Sequence, residues 1–141
     1  MEYNNKSIRP QVLLYHFALD ERTEMIERYL AASGVEVRHV RSDELSEKLG
    51  WLVGLSGYEK NTVRSFGLPF SEEMLVMAGF DQDRLNAFLR FFKERNIRRV
   101  ELKAVLTPSN AAWDAASLYR HMSQERDALR KLNFPERVKN T

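Results

Sequence analysis

The sequence contains no cysteine. That excludes disulfides, thiolate metal sites and thiol nucleophiles, and it fits a reducing, cytoplasmic compartment. No apolar run approaches the ~20 residues needed to span a bilayer. The polar first ten residues lack the apolar stretch of a secretory signal, so neither a membrane anchor nor export is expected. Charge of one sign is scarce as well: 22 Lys and Arg stand against 20 Asp and Glu. An excess of two is too small to indicate nucleic acid as a partner. The three histidines, His16, His39 and His121, are scattered singly, without an i, i+4 pair or an HExxH spacing, so no metal is expected. There is no nucleotide fingerprint or phosphate-cradling glycine loop, and no cofactor is expected either.

What is present is the composition of a folded domain. Over 141 residues, 43% are hydrophobic and 30% charged, a length at which about two thirds of the unfolded surface is buried on folding. Residues 12–17 (VLLYHF) form an apolar run long enough for a buried strand and too short for a helix. Asp20 is placed to cap a helix through Ser33, with Gly34 at its C-terminal turn. Residues 35–40 (VEVRHV) alternate, as a strand exposed on one face does. A short polar helix is expected near 43–48. The connection over 49–72 is rich in glycine, and Trp51, Leu52 and Leu55 are its expected anchors. Residues 74–78 make a third strand, Asp81 caps a helix over about 82–95 with Leu85, Phe88, Leu89 and Phe92 on one stripe, and residues 100–106 make a fourth strand. A long last helix is expected over about 110–132, ahead of Pro135 and a polar tail over 134–141.

This order, βαβ, loop, βαβα, predicts one α/β domain: a small open, mostly parallel four-stranded sheet with helices on both faces and a long C-terminal helix, preceded by an arm at 1–10. No internal repeat is visible. Ligands of open parallel sheets sit outside the carboxyl ends of the strands. That rule would bring three turns, 16–20, 78–81 and 106–110, to one rim. The candidate ligand-binding residues are therefore His16, Asp20, Asp81, Thr107, Ser109, Asn110 and Trp113.

The junction LKAVLTPSNAAWD, residues 102–114, is the most suggestive stretch. Pro108 favours an extended Thr107, and Ser109 or Asn110 can cap the following helix, leaving free amides that attract an anion. The alternative reading is that the same residues serve only as caps. Lys103 is expected to pair with a carboxylate such as Glu73 on a neighbouring strand. The KERNIRR segment, 93–99, reads as a solvated turn on the edge opposite the ligand rim.

The segments GWLVGL (50–55), EEMLVMAGF (72–80) and LKAVLTPSNAAW (102–113) together resemble a family of small bacterial proteins known as domain-of-unknown-function 3783. The resemblance extends from about Val12 to about Glu125 and implies a single small α/β domain of unassigned activity. It implies no catalytic or ligand residues. Two functions are compatible with the sequence. One is a non-catalytic binding or regulatory module for a small anionic ligand or a protein partner. The other is a small enzyme acting on an anionic metabolite, with Asp20, Asp81 or His16 as acid or base. The last helix is long enough to overhang the sheet, and its Leu129, Leu132 and Phe134 call for a cover: a weak homodimer through the C-terminal helix, or the arm with Tyr3 and Ile8.

Overall fold

The computed structural model describes residues 8–61 and 70–139, with side chains as far as 132. Its elements follow in order: β1 (Gln11–Tyr15), α1 (Glu21–Ala32), β2 (Glu36–Val40), a 3-10 turn at Ser42–Glu44, α2 (Leu49–Leu52), β3 (Met74–Ala78), α3 (Gln82–Glu94), β4 (Leu102–Val105), a second 3-10 turn at Asn110–Ala112 and α4 (Ala115–Lys139). Both long internal helices begin as expected. The Asp20 carboxylate accepts the Thr23 amide at 2.9 Å, and the Asp81 carboxylate accepts the Arg84 amide at 2.8 Å. Each satisfies one of the free amides that every helix start leaves over.

The sheet order is β2-β1-β3-β4. β1 runs parallel to β2 and β3 parallel to β4, but the central pair, β1 with β3, is antiparallel and centred on Leu13 opposite Val76. Two βαβ units thus stand back to back about an approximate two-fold axis through the sheet. Ile26 and Leu30 of α1 share one core with Phe88 and Phe92 of α3, so both helices cover the same face. The second face packs against α2, the 3-10 turns and the first half of α4, through Leu49, Leu52, Ala111, Ala115 and Leu118. Backbone turns repeat as well. Left-handed residues follow β1 and β3 (His16, φ 61°; Gly79, φ 74°) and follow α1 and α3 (Gly34, φ 76°; Asn96, φ 53°). The repetition is absent from the sequence reading because it lives in backbone turns and in which positions are buried.

Three expected elements are revised. The polar helix near 43–48 is a single 3-10 turn, after which Glu47 is buried and accepts the Asn61 amide at 2.8 Å. Trp51, Leu52 and Leu55 all pack against the core, and they anchor this part of the connection; its residues 62–69 lie outside the described residues. The last helix starts at Ala115, not near 110, and continues through Pro135 to Lys139 instead of giving way to a tail at 134. Its late start follows from Trp113, whose extended backbone (φ −92°, ψ 149°) lets its carbonyl accept the Leu49 amide of α2 at 2.9 Å.

One buried polar group is out of balance. The Tyr15 hydroxyl is fully buried and has no hydrogen-bond partner among the described residues, and burial raises its pKa above the ordinary tyrosine value. An unpartnered buried hydroxyl costs free energy, whereas phenylalanine keeps the ring's shape. Tyr15→Phe is therefore expected to leave stability unchanged or raise it by about 1 kcal/mol in urea unfolding. A loss of stability would mean that an ordered water satisfies the hydroxyl.

Candidate binding groove beside the free sheet edge

The 107–114 junction is a closed turn. Asn110 is buried, and its side chain accepts the Thr107 amide at 2.8 Å and donates to the Val105 carbonyl at 3.1 Å. The Asn110 amide goes to the Thr107 hydroxyl, and the Ala111 and Trp113 amides to the carbonyls of Thr107 and Asn110. Ser109 makes no capping bond. The cap of α4 is Asp114, whose carboxylate accepts the Ser117 amide at 3.0 Å. These amides are used within the turn, and the helix start beyond it already carries a carboxylate. Asp114→Ala should cost about 1 kcal/mol and Ser109→Ala close to nothing, measured as midpoint shifts in urea.

The antiparallel centre also divides the expected rim. The carboxyl end of β1 meets the amino end of β3, Tyr15 lying opposite Met74. His16 and Asp20 therefore lie at one edge of the sheet, while Asp81, Thr107, Ser109 and Asn110 follow strands that end at the other. The single rim assumed an all-parallel sheet, and one reversed strand pair removes it. His16 packs edge-on against Phe70 at 4.7 Å, and burial lowers its pKa below the usual imidazole value. The Thr23 amide holds the Asp20 carboxyl below the ordinary range. The KERNIRR arginines sit beside these residues: Arg22 of α1 donates to the carbonyls of Arg98 and Arg99 and to both Glu73 oxygens at 2.9 Å. That bidentate pair takes up the carboxylate expected for Lys103.

A groove of about 730 Å³ lies elsewhere, between β4 and α4. β4 forms its floor, and Trp113, His121, Met122 and Leu129 form its apolar wall. Trp113 stacks on His121 at 4.2 Å with the rings 19° apart, so the two shape one wall together. Of the seven residues singled out in the sequence, Asn110 and Trp113 reach this groove. A second groove of about 340 Å³ opens on the opposite side of β4, between it and α3, lined by Leu89, Phe92, Ile97 and Val100. Lys103 borders both. Its ammonium donates to the Val100 carbonyl. Burial, then the neighbouring Arg99 charge, lowers its pKa from the usual lysine value, and Glu101 partly opposes them.

Between the two grooves lies an open strand edge. The Leu106 amide donates to the Met77 carbonyl at 2.8 Å. Strand residues alternate, so Leu102 and Ala104 also turn their backbone groups toward β3, and Lys103 and Val105 turn theirs outward; the same alternation carried one step back, to the bend at Glu101, turns that residue outward as well. No strand pairs with that side among the described residues. The other edge of the sheet is guarded. Around β2, Arg9 pairs with Glu36 at 2.9 Å, Arg38 with Glu44 and His39 with Glu27, the kind of charged screen that keeps foreign strands away. β4 itself carries a single charge, Lys103, and just before the strand Glu101 pairs with Arg130 at 3.0 Å.

Residues 73–129 match a family described as Domain of unknown function (DUF3783). The DUF3783 match starts at the second βαβ unit and runs into α4. It includes EEMLVMAGF from Glu73 onward and all of LKAVLTPSNAAW. The first unit and GWLVGL lie outside it, so the resemblance is narrower than the sequence reading expected. β4, its turn and the α4 wall as far as Leu129 all fall within the matched range. No curated protein and no solved structure matches the chain.

Sequence reasoning missed the groove because none of its residues forms a motif. Lys103, His121, Met122 and Leu129 are brought together by β4 taking the edge position and α4 crossing beside it. The one available signal was the pair of exposed leucines on an overlong helix, at 59% and 71% exposure for Leu129 and Leu132.

Proposed function

We propose that the chain is a non-catalytic binding module that takes an extended polypeptide along β4 as a fifth strand. The observation that carries this reading is the outward-facing backbone of Lys103, together with the outward-facing Val105 amide, lying between two grooves that open on either side of the strand. Backbone bonds to a sheet edge give affinity, and pockets on either face give selectivity. A polypeptide is favoured over a small anion because the Thr107, Asn110, Ala111 and Trp113 amides are already bonded within the turn. Acid–base catalysis is less well supported, since Asp20 and Asp81 are engaged as helix caps at opposite edges of the sheet.

The experiment is selection of a random peptide library displayed on phage, followed by nitrogen-15 NMR of the protein with a selected peptide. The amides of Lys103 and Val105 should shift and become slower to exchange with solvent. Lys103→Pro should abolish binding and leave the fold intact, because that amide points away from β3 and proline is tolerated at such edge positions. Peptides that bind with the β4 amides unperturbed would overturn the reading.

A further inference from the structure

We propose that the strand received by β4 is β4 of a second copy, paired antiparallel about Leu102, so that Glu101 of each copy faces Lys103 of the other. The inference rests on the fifth-strand reading above and names its occupant.

Only some registers are open to such a pair. In an antiparallel ladder the residues that exchange hydrogen bonds must both point outward, which limits them to Glu101, Lys103 and Val105. Pairing Lys103 with itself sets two ammonium groups against each other, and like charges directly opposite are destabilising. Pairing Lys103 with Val105 calls on the Val105 carbonyl, which Asn110 already occupies. Pairing Lys103 with Glu101 avoids both faults and sets two opposite-charge pairs symmetrically about Leu102, with the exposed Glu101 carboxylate shared between the second copy's ammonium and its present partner Arg130. The interface is isologous, as expected for a closed dimer.

Three of the four exposed large apolar residues lie near the same place. Among the described residues the large hydrophobic side chains left in water are Leu19, Leu89, Leu129 and Leu132. Leu89 lines the groove on the α3 side of β4, Leu129 lines the groove on the α4 side, and Leu132 lies three residues further along α4. A two-fold axis normal to the sheet keeps both α4 helices on one face of a sheet continuous across the two copies. The grooves flanking β4, with their leucines, then border the new seam. The earlier expectation of a dimer through the C-terminal helix becomes a dimer whose centre is the strand. Tyr3 of the arm, the alternative cover, and the side chain of Phe134 lie outside the described residues.

The test is sedimentation equilibrium on the full chain, with amide exchange followed over the same concentrations. The mass should rise from monomer toward dimer as concentration rises, and the Lys103 amide should gain protection in step. Lys103→Glu and Glu101→Lys should each weaken self-association roughly tenfold or more, because two attractive pairs become two repulsive ones. The double variant Glu101→Lys, Lys103→Glu should restore it, since the pairs re-form with exchanged signs. Circular dichroism of each variant confirms folding, and the double variant keeps the test decisive if a single one folds poorly. A monomer at every concentration overturns the proposal, as does a dimer indifferent to the charge exchange. A monomer whose β4 amides are protected overturns it in favour of a segment of the same chain as the cover. If the chain stays monomeric while selected peptides still perturb Lys103 and Val105, the self-pairing fails and the fifth-strand reading stands. If neither touches β4, both fail.

Discussion

Replacing Gly79 by alanine is expected to lower the stability of the fold by about 2–4 kcal/mol, a large share of the total for a domain of this size. Two costs combine. The residue sits at φ 74°, in the left-handed region, where a Cβ costs about 1–2 kcal/mol. A Cβ there would also lie 2.8 Å from the Ile8 carbonyl oxygen and 2.9 Å from that of Arg9. Both obstacles are backbone leading directly into β1, and retreating from the new methyl would disturb the register that pairs Gln11 with Ala78. Gly50 provides the contrast. The three atoms nearest a Cβ there all belong to the Tyr58 ring, the first at 2.6 Å, and a partly buried ring can swing aside where a strand lead-in cannot. Urea unfolding should give a much lower midpoint for Gly79→Ala than for Gly50→Ala, with unchanged slopes. Equal midpoints would show that residues 8–10 yield freely and do not fix the start of β1.

Phe88→Ala should be more damaging still, at about 3–5 kcal/mol. The Phe88 ring is fully buried beneath the sheet face shared by α1 and α3. It stacks with Tyr29 at 5.8 Å and meets Phe80 and Phe92 at 6.1 and 5.1 Å. Alanine therefore removes the transfer energy of the ring and leaves a cavity whose walls come from both βαβ units and cannot all collapse inward together. Phe91, three residues on, is only half-buried and stacks on Tyr29 at 4.3 Å. Its truncation should cost less than half as much. Differential scanning calorimetry would show the difference, at about 2–5 °C in midpoint for each kcal/mol. Similar losses for the two variants would mean that the aromatic cluster acts as a surface patch and not as the core joining the units.

Both effects depend on the antiparallel centre of the sheet, which no local pattern in the chain records. The parallel pairings were legible because a helix of one domain's breadth separates β1 from β2 and β3 from β4, and such a crossover returns the chain in the same direction. The 33 residues between Val40 and Met74 impose no such constraint. They can bring the chain back in either sense, and a sequence pattern of buried strands reads alike in both. The same uncertainty moved the candidate site. His16 and Asp81 belong together on one rim only if all four strands run the same way.

Residue chemistry by itself determined the local structure. Apolar runs fixed four strands, Asp20 and Asp81 fixed two helix starts, and the stripe through Phe88 and Phe92 fixed the buried face of α3, since propensity, capping and periodicity act over a few residues. The absence of cysteine fixed which covalent chemistries are excluded. The start of α4 was decided at longer range, by the bond from the Leu49 amide to the Trp113 carbonyl, which holds Trp113 extended and passes the cap from Ser109 or Asn110 to Asp114. The groove was decided by strand order. Lys103 would be an ordinary strand residue in the middle of a sheet, but with β4 at the edge its backbone is left open between two clefts. Edge position is a property of all four strands together, because it depends on which pairings win across the whole chain, and only the tertiary structure expresses that outcome.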